Sequence, residues 1–206
     1  MPPGFSGFRG VTSHSGLDEA SWLEFTCGHC NTRVTGLVPL TYPSIPPGAA
    51  QVKWLLCPNC GDGSVRTLDG DIYPGSLFGP NISGLSSTVK TAYDEARKCM
   101  SVSAFTACEL ICRKILMHVA VDKGAKEGEN FEKYVAYLES SGFVTPPMKP
   151  WVDLIRQHGN KATHLLEDPD KTRAESTLMF TAELLRLVYE MEYMSKQYGP
   201  QPAATS

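Results

Sequence analysis

The chain has 206 residues, of which 42% are hydrophobic and 20% charged, and a formal net charge of −3. This is the make-up of an ordinary globular protein, long enough for one or two domains with a real core. The slight negative balance gives no electrostatic basis for a nucleic-acid or membrane-surface partner, and no apolar run approaches the roughly 18 residues of a membrane span. The N-terminus, Met1-Pro-Pro-Gly-Phe-Ser-Gly-Phe-Arg9, lacks the apolar segment of a signal peptide. Seven unevenly spaced cysteines argue against a secreted disulfide scaffold and for a reducing, cytoplasmic setting.

Residues 1–20 are rich in Gly, Ser and Pro and read as a flexible N-terminus. Strand-like runs follow at Trp22-Leu-Glu-Phe25, Arg33–Leu40, Gln51–Leu56 and Ser64–Leu68, with Pro43–Gly48 as a loop between the second and third. The Pro/Gly-rich stretch 71–84 reads as a linker, which places a domain boundary between a unit at 21–70 and one at 85–198. Beyond it the apolar period changes from two to 3.6. Leu85, Val89, Ala92, Tyr93, Ala96 and Met100 share one face of a first helix that Ser86 or Ser87 can cap.

The next helix, about 102–123, is apolar nearly all round, as expected of the centre of a bundle or of a helix that also serves an oligomer interface. Phe131, Tyr134, Val135 and Leu138 mark a third helix ending at Gly142, and residues 145–158 a fourth. Asp168-Pro169 and Thr172-x-x-Glu175 both offer start signals for a last helix to about Tyr198, whose apolar positions are Leu178, Leu184, Leu185, Val188 and Met191. The tail 199–206 reads as disordered, and no internal repeat is evident.

Chemistry is most legible in the first unit. Cys27-x2-Cys30 and Cys57-x2-Cys60 are separated by twenty-six residues. Two thiolates on one tight turn can hold a tetrahedral ion, and two such turns complete a four-sulfur shell, the donor set of zinc or of iron–sulfur chemistry. Gly28, Pro58 and Gly61 are residues that such turns favour. A redox pair would want a βαβ setting, which is missing. The expectation is one structural Zn2+ on Cys27, Cys30, Cys57 and Cys60, with His29 an outward polar residue. A closed shell leaves no position at which water could be activated. Residues 1–84 carry four basic side chains (Arg9, Arg33, Lys53, Arg66) against six acidic ones, so an interaction or scaffolding role is favoured over DNA reading. Cys99, Cys108 and Cys112 lie on apolar helical faces and read as small hydrophobes.

The second polar concentration is Trp151–His164, where Arg156, Gly159-Asn160 and His164 follow an amphipathic turn. Gly beside Asn is a helix-stop or kink signal. Arg156 has the chemistry of a phosphate clamp and His164 that of a general acid–base group, provided the fold brings both to one side of the kink. The structural alternative is that Asn160 and His164 cap helix ends while Arg156 pairs with Asp153 or Glu109. Glu109 and Arg113, four apart on the central helix, read as a supporting ion pair; His118 and His158 take no role.

Ala92-Tyr-Asp-Glu-Ala96, Ala107-Cys-Glu-Leu-Ile-Cys-Arg113, Leu138-x3-Gly142, Ile155-Arg-Gln-His-Gly-Asn-Lys-Ala-Thr-His164 and Leu184-x3-Val188-Tyr189 together resemble the family called domain of unknown function 4145. The resemblance covers roughly residues 22–194. Its members often carry an N-terminal zinc ribbon and a Tyr-Pro connector like Tyr73-Pro74, and occur in bacteria and phages, alone or attached to restriction-type enzymes. The helical domain is similar to the HEPN superfamily, whose active ribonucleases carry Arg-Asn-x3-His and work as metal-independent dimers. Asn160 and His164 match that motif, Gly159 falls where its Arg would stand, and Arg156 is the candidate substitute one turn earlier.

The resulting expectation is a mainly α chain: a small β zinc ribbon followed by an all-α, HEPN-like bundle of about five helices. Its expected role is a zinc-binding, non-enzymatic accessory protein in bacterial or phage defence, with a protein partner and a homodimer through the helical domain. Its setting would be the bacterial cytoplasm, or the host's if phage-encoded. The alternatives are a ribonuclease using His164 and Arg156 with Asn160, and nucleic-acid binding through the ribbon.

Overall fold

A computed structural model describes residues 22–41, 52–162 and 169–199, and their side chains except at 39–41 and 157–162. The expected flexible N-terminus, the Pro43–Gly48 loop, His164 and the tail beyond Gly199 lie outside the described residues. The chain divides into two compact units between Leu77 and Phe78.

The first unit is an antiparallel meander of five strands in sequence order: β1 (Trp22–Thr26), β2 (Arg33–Thr41), β3 (Lys53–Leu56), β4 (Gly63–Arg66) and β5 (Ile72–Tyr73). The β2–β3 register slips between Leu37 and Leu40. Pro39 stands at that slip, where a residue with no N–H costs the ladder nothing. The two hairpins β1–β2 and β3–β4 repeat each other with an offset of thirty residues: Thr26 faces Arg33 as Leu56 faces Gly63. Phe25 and Leu55, both buried, are likewise thirty apart. This internal repeat escaped the sequence reading because its strands are short and share almost no side chains.

Residues 71–84, expected as a linker, are drawn into the two units instead. Asp69-Gly70, with Gly70 at φ 93°, turns the chain so that Thr67 N–H donates to Asp71 O at 2.8 Å and β5 pairs with β4. Asp-Gly is a strong hairpin signal, hidden here by the prolines that follow. Further on, Leu77 N–H donates to Asn31 Oδ1 at 3.0 Å, which ties the end of this unit back to its first hairpin.

The second unit holds α1 (Ser87–Ser101), α2 (Phe105–Asp122), α3 (Phe131–Ser140), a 3-10 turn (Pro146–Met148), α4 (Lys149–Ala162), α5 (Lys171–Leu185), a π-helical turn (Arg186–Glu190) and α6 (Met191–Tyr198). Its start, 78–84, is fastened to α1. Tyr93 Oη donates to Pro80 O at 2.9 Å, and buried Arg97 donates to Phe78 O, Gly79 O and Asn81 Oδ1 at 2.8–2.9 Å. Ser86 caps α1, accepting from Val89 N–H at 3.3 Å.

The central position expected of α2 holds: it packs against α1, α3 and α5, burying Cys108, Cys112, Ile115, Leu116, Val119 and Ala120. Two details differ from expectation. The cap of α5 is Asp170, whose carboxylate accepts from Arg173 N–H at 2.8 Å, rather than Asp168 or Thr172. And α4 runs through Gly159-Asn160 to Ala162 instead of stopping there. The preference of Gly for ending a helix, about 1 kcal/mol, is small enough for the amphipathic burial of Val152 and Ile155 to carry the helix on. Among the described residues, no helix is long and apolar enough to cross a membrane.

Candidate metal centre

The knuckles at 27–32 and 57–62 close the two repeated hairpins, and their backbones are held alike. Cys27 N–H donates to Thr32 O and Cys57 N–H to Asp62 O, both at 3.0 Å; Asn31 N–H donates to Cys27 O at 2.8 Å and Gly61 N–H to Cys57 O at 2.9 Å. Each knuckle needs a left-handed residue directly after its second cysteine, and the chain supplies Asn31 (φ 55°) and Gly61 (φ 80°), the residue types that tolerate it. Gly28 has a different reason. A Cβ there would stand 2.3 Å from the carbonyl oxygens of Pro74 and Gly75, so only glycine lets that segment lie against the first knuckle.

This scaffold brings all four thiols to within 4.8 Å of one another. Cys27 Sγ lies 3.7 Å from Cys60 Sγ, and Cys30 Sγ 3.8 Å from Cys57 Sγ. A disulfide would require about 2.05 Å. Four sulfurs at the ~2.3 Å zinc–sulfur bond length stand roughly 3.8 Å apart along each tetrahedral edge. These two separations match a tetrahedral edge, and every other pair of the four sulfurs lies within 4.8 Å. Cys27 and Cys57 are fully buried and Cys30 and Cys60 lie at the rim.

Burial pushes the thiols of Cys27 and Cys60 up. Burial works in the same direction on Cys30, but hydrogen bonds from Thr32 and Asn59 outweigh it and bring that thiol down to about 6. Asn59 Nδ2 donates to Cys30 Sγ at 3.4 Å and to Thr32 Oγ1 at 3.2 Å. His29 stands at the matching place of the other knuckle, and its Nε2–H donates to Gly63 O at 3.0 Å. Its ring is engaged with backbone, as expected of a residue outside the shell. The cluster can hold a metal ion with four protein ligands.

The second candidate site is resolved in part. Arg156 is ion-paired with Glu139 of α3 and with Asp153 at 3.3 Å. Asp153 was the sequence expectation; Glu139 replaces Glu109 as the other partner. Glu109 instead binds Arg173 in bidentate fashion, at 2.7 and 2.9 Å, with both side chains nearly buried. Arg113, one turn on from Glu109, lies in its field and places its guanidinium 4.5 Å from the centre of the Phe131 ring. Asn160 is on the last turn of α4, its side chain outside the described set, as is the whole of His164.

Sequence reasoning missed Asn59, Arg97, Glu139 and Arg173. None carries a local signal except Asn59, which sits inside a Cys-x2-Cys and thirty residues from His29. The cysteines of the helical unit behave as read: Cys108 and Cys112 are buried, and the Cys112 thiol is pushed far up by its hydrogen bond to Cys108 and by burial.

Residues 94–199 match the model of the family described as Domain of unknown function (DUF4145). No curated protein and no solved structure matches the chain.

Proposed function

The chain belongs to the DUF4145 family, and we propose that it is a non-enzymatic interaction protein whose N-terminal unit is held together by one structural zinc ion on Cys27, Cys30, Cys57 and Cys60. The observation that carries this reading is the sulfur spacing of 3.7 and 3.8 Å between two equivalent knuckles, which fits a closed tetrahedral shell. With four protein ligands the ion has no open position for a substrate, so its contribution is to folding.

Three further observations support interaction over catalysis or phosphate binding. Arg156 is committed to two carboxylates, which neutralise the charge a phosphate clamp would need. The ribbon also presents aromatic side chains to solvent: Trp54 faces Val65 across β3–β4, Val65 faces Tyr73 across β4–β5, and Trp54 and Tyr73 are exposed. Exposed aromatic clusters are what protein interfaces use as anchors. Arg33 on the same unit is paired with Glu24 at 2.6 Å, which leaves little positive charge for phosphates.

The experiment has two arms. Labelled single-stranded RNA incubated with the purified chain should stay intact and unbound at physiological salt. A partner captured from the native host should be lost with Trp54→Ala and kept with Arg156→Ala. RNA cleavage abolished by Arg156→Ala or His164→Ala would overturn the reading.

A further inference from the structure

The sheet of the first unit has two unlike faces. Phe25 and Leu55 are buried with Cys27 and Cys57 in the unit's core. Successive residues of a strand point to opposite faces, so Trp54, one step from Leu55, stands on the outer side. Cross-strand partners share a face, which puts Val65 and Tyr73 on that side too. Trp54 is 47% and Tyr73 42% exposed, while Val65 between them is partly covered. Two aromatic side chains on β3 and β5 are thus the walls of a groove, and the shorter Val65 on β4 is its floor. Neighbouring strands lie about 4.8 Å apart, so the walls are separated by roughly 10 Å. The next outward position along β4 is Gly63, which has no side chain, and the groove stays open at that end.

We infer that this groove binds an uncharged, proline-rich segment of a protein partner in the polyproline II conformation. The inference rests on the reading of the ribbon as an interaction surface, and it names what that surface takes. Width is the first reason. Contacts of about 4 Å on either side of a puckered pyrrolidine ring fill roughly the distance between the walls. The second reason is polarity. Each wall carries a donor, Trp54 Nε1–H and Tyr73 Oη–H, with no hydrogen-bond partner among the described residues. A polyproline II chain is the complement: its prolines offer carbonyl oxygens and no N–H, and its backbone makes no internal hydrogen bonds.

Charge is the third reason. On the outer face of β1 and β2, Glu24 and Arg33 are paired with each other at 2.6 Å and cancel. Lys53 and Arg66 face each other one step from the Trp54–Val65 pair, and so belong to the opposite face. A nucleic-acid strand would need cations that the groove lacks. Leu56, two residues on from Trp54, and its partner Leu37 continue the apolar surface beside the groove. A preformed polyproline II segment loses little entropy on docking to such a site.

The test titrates the full chain with octaproline and follows tryptophan emission. A saturable shift is expected, and an eight-residue Gly-Ser peptide should give none. Val65→Phe raises the floor and keeps both walls, and should weaken binding at least about tenfold; Tyr73→Ala should do the same. Should either variant fail to fold, Tyr73→Phe, which loses only the hydroxyl donor, should bind about threefold more weakly. Trp22→Ala, on the outer face but two strands from Trp54, should bind as the wild type does. No saturable shift at millimolar octaproline, binding that Val65→Phe leaves intact, or an equal loss in Trp22→Ala would overturn the inference. So would a preference for the neutral sugar cellohexaose over octaproline. Octaproline that fails to bind, while Trp54→Ala still costs the partner captured from the host, would sink the ligand and spare the interaction reading. A host partner kept by Trp54→Ala would sink both.

Discussion

Asn59 and His29 occupy the same place in two repeated knuckles, and each reaches across to the opposite hairpin: Asn59 Nδ2 to Cys30 Sγ at 3.4 Å, His29 Nε2 to Gly63 O at 3.0 Å. The two contacts differ in kind. Asn59 donates to a sulfur of the four-cysteine cluster and so favours its thiolate, while His29 braces only backbone. Asn59→Ala should therefore loosen metal retention roughly tenfold, the lower end of what outer-shell partners contribute. His29→Ala should change it much less. Competition with a chromophoric chelator measures both, and equal effects would refute the distinction.

Gly28→Ala places a Cβ 2.3 Å from two backbone carbonyl oxygens, which have no flexible end to move aside. The expected cost is about 3 kcal/mol, the upper part of the overpacking range. It should appear as a lowered melting temperature of the ribbon's near-ultraviolet signal, with the helical far-ultraviolet signal retained. Gly61→Asn, where a Cβ meets nothing within 4 Å, should be tolerated.

The Glu109–Arg173 pair predicts an asymmetry. Arg113 also lies in the field of Glu109 and is itself pushed down, first by burial. Removing the carboxylate with Glu109→Ala leaves two neighbouring cations without it, at a cost of about 3–5 kcal/mol. Arg173→Ala leaves Glu109 with Arg113 still nearby and should cost less. Urea unfolding of the two variants, followed by helical signal, gives the order; a larger loss for Arg173→Ala would contradict it.

Burial raises the Tyr93 hydroxyl from its ordinary 10.0 to about 12, with Arg97 opposing. The stabilisation is fully present below pH 10, where both folded and unfolded chains are protonated. It is lost as pH rises from 10 to 12, because the unfolded chain ionises first. Stability should fall over that window, and the fall should be shallower in Tyr93→Phe. That variant starts about 1 kcal/mol lower, having lost the bond to Pro80 O.

What the sequence makes legible is what is local. Cysteine spacing picked out the four-thiol cluster because both knuckles are short enough to be read without knowing the fold. The helix count came from period alone, and Ser86 was visible as a cap. Three other features depend on partners distant in sequence. Residues 78–81 resemble a loose connector until Arg97, on α1, is seen to hold them. Arg156 has Asp153 in local reach, but Glu139 comes from another helix. Met191 continues the core pattern on paper, but the whole of α6 lies beyond the core and buries nothing.

The most direct measurement is elemental analysis of the purified chain combined with X-ray absorption at the metal edge. One zinc per chain is expected, with a first shell of four sulfurs at about 2.3 Å, lost together with ribbon structure in Cys27→Ser/Cys57→Ser. A chain that folds its ribbon without metal, or a shell containing nitrogen or an open water position, would contradict a closed structural site.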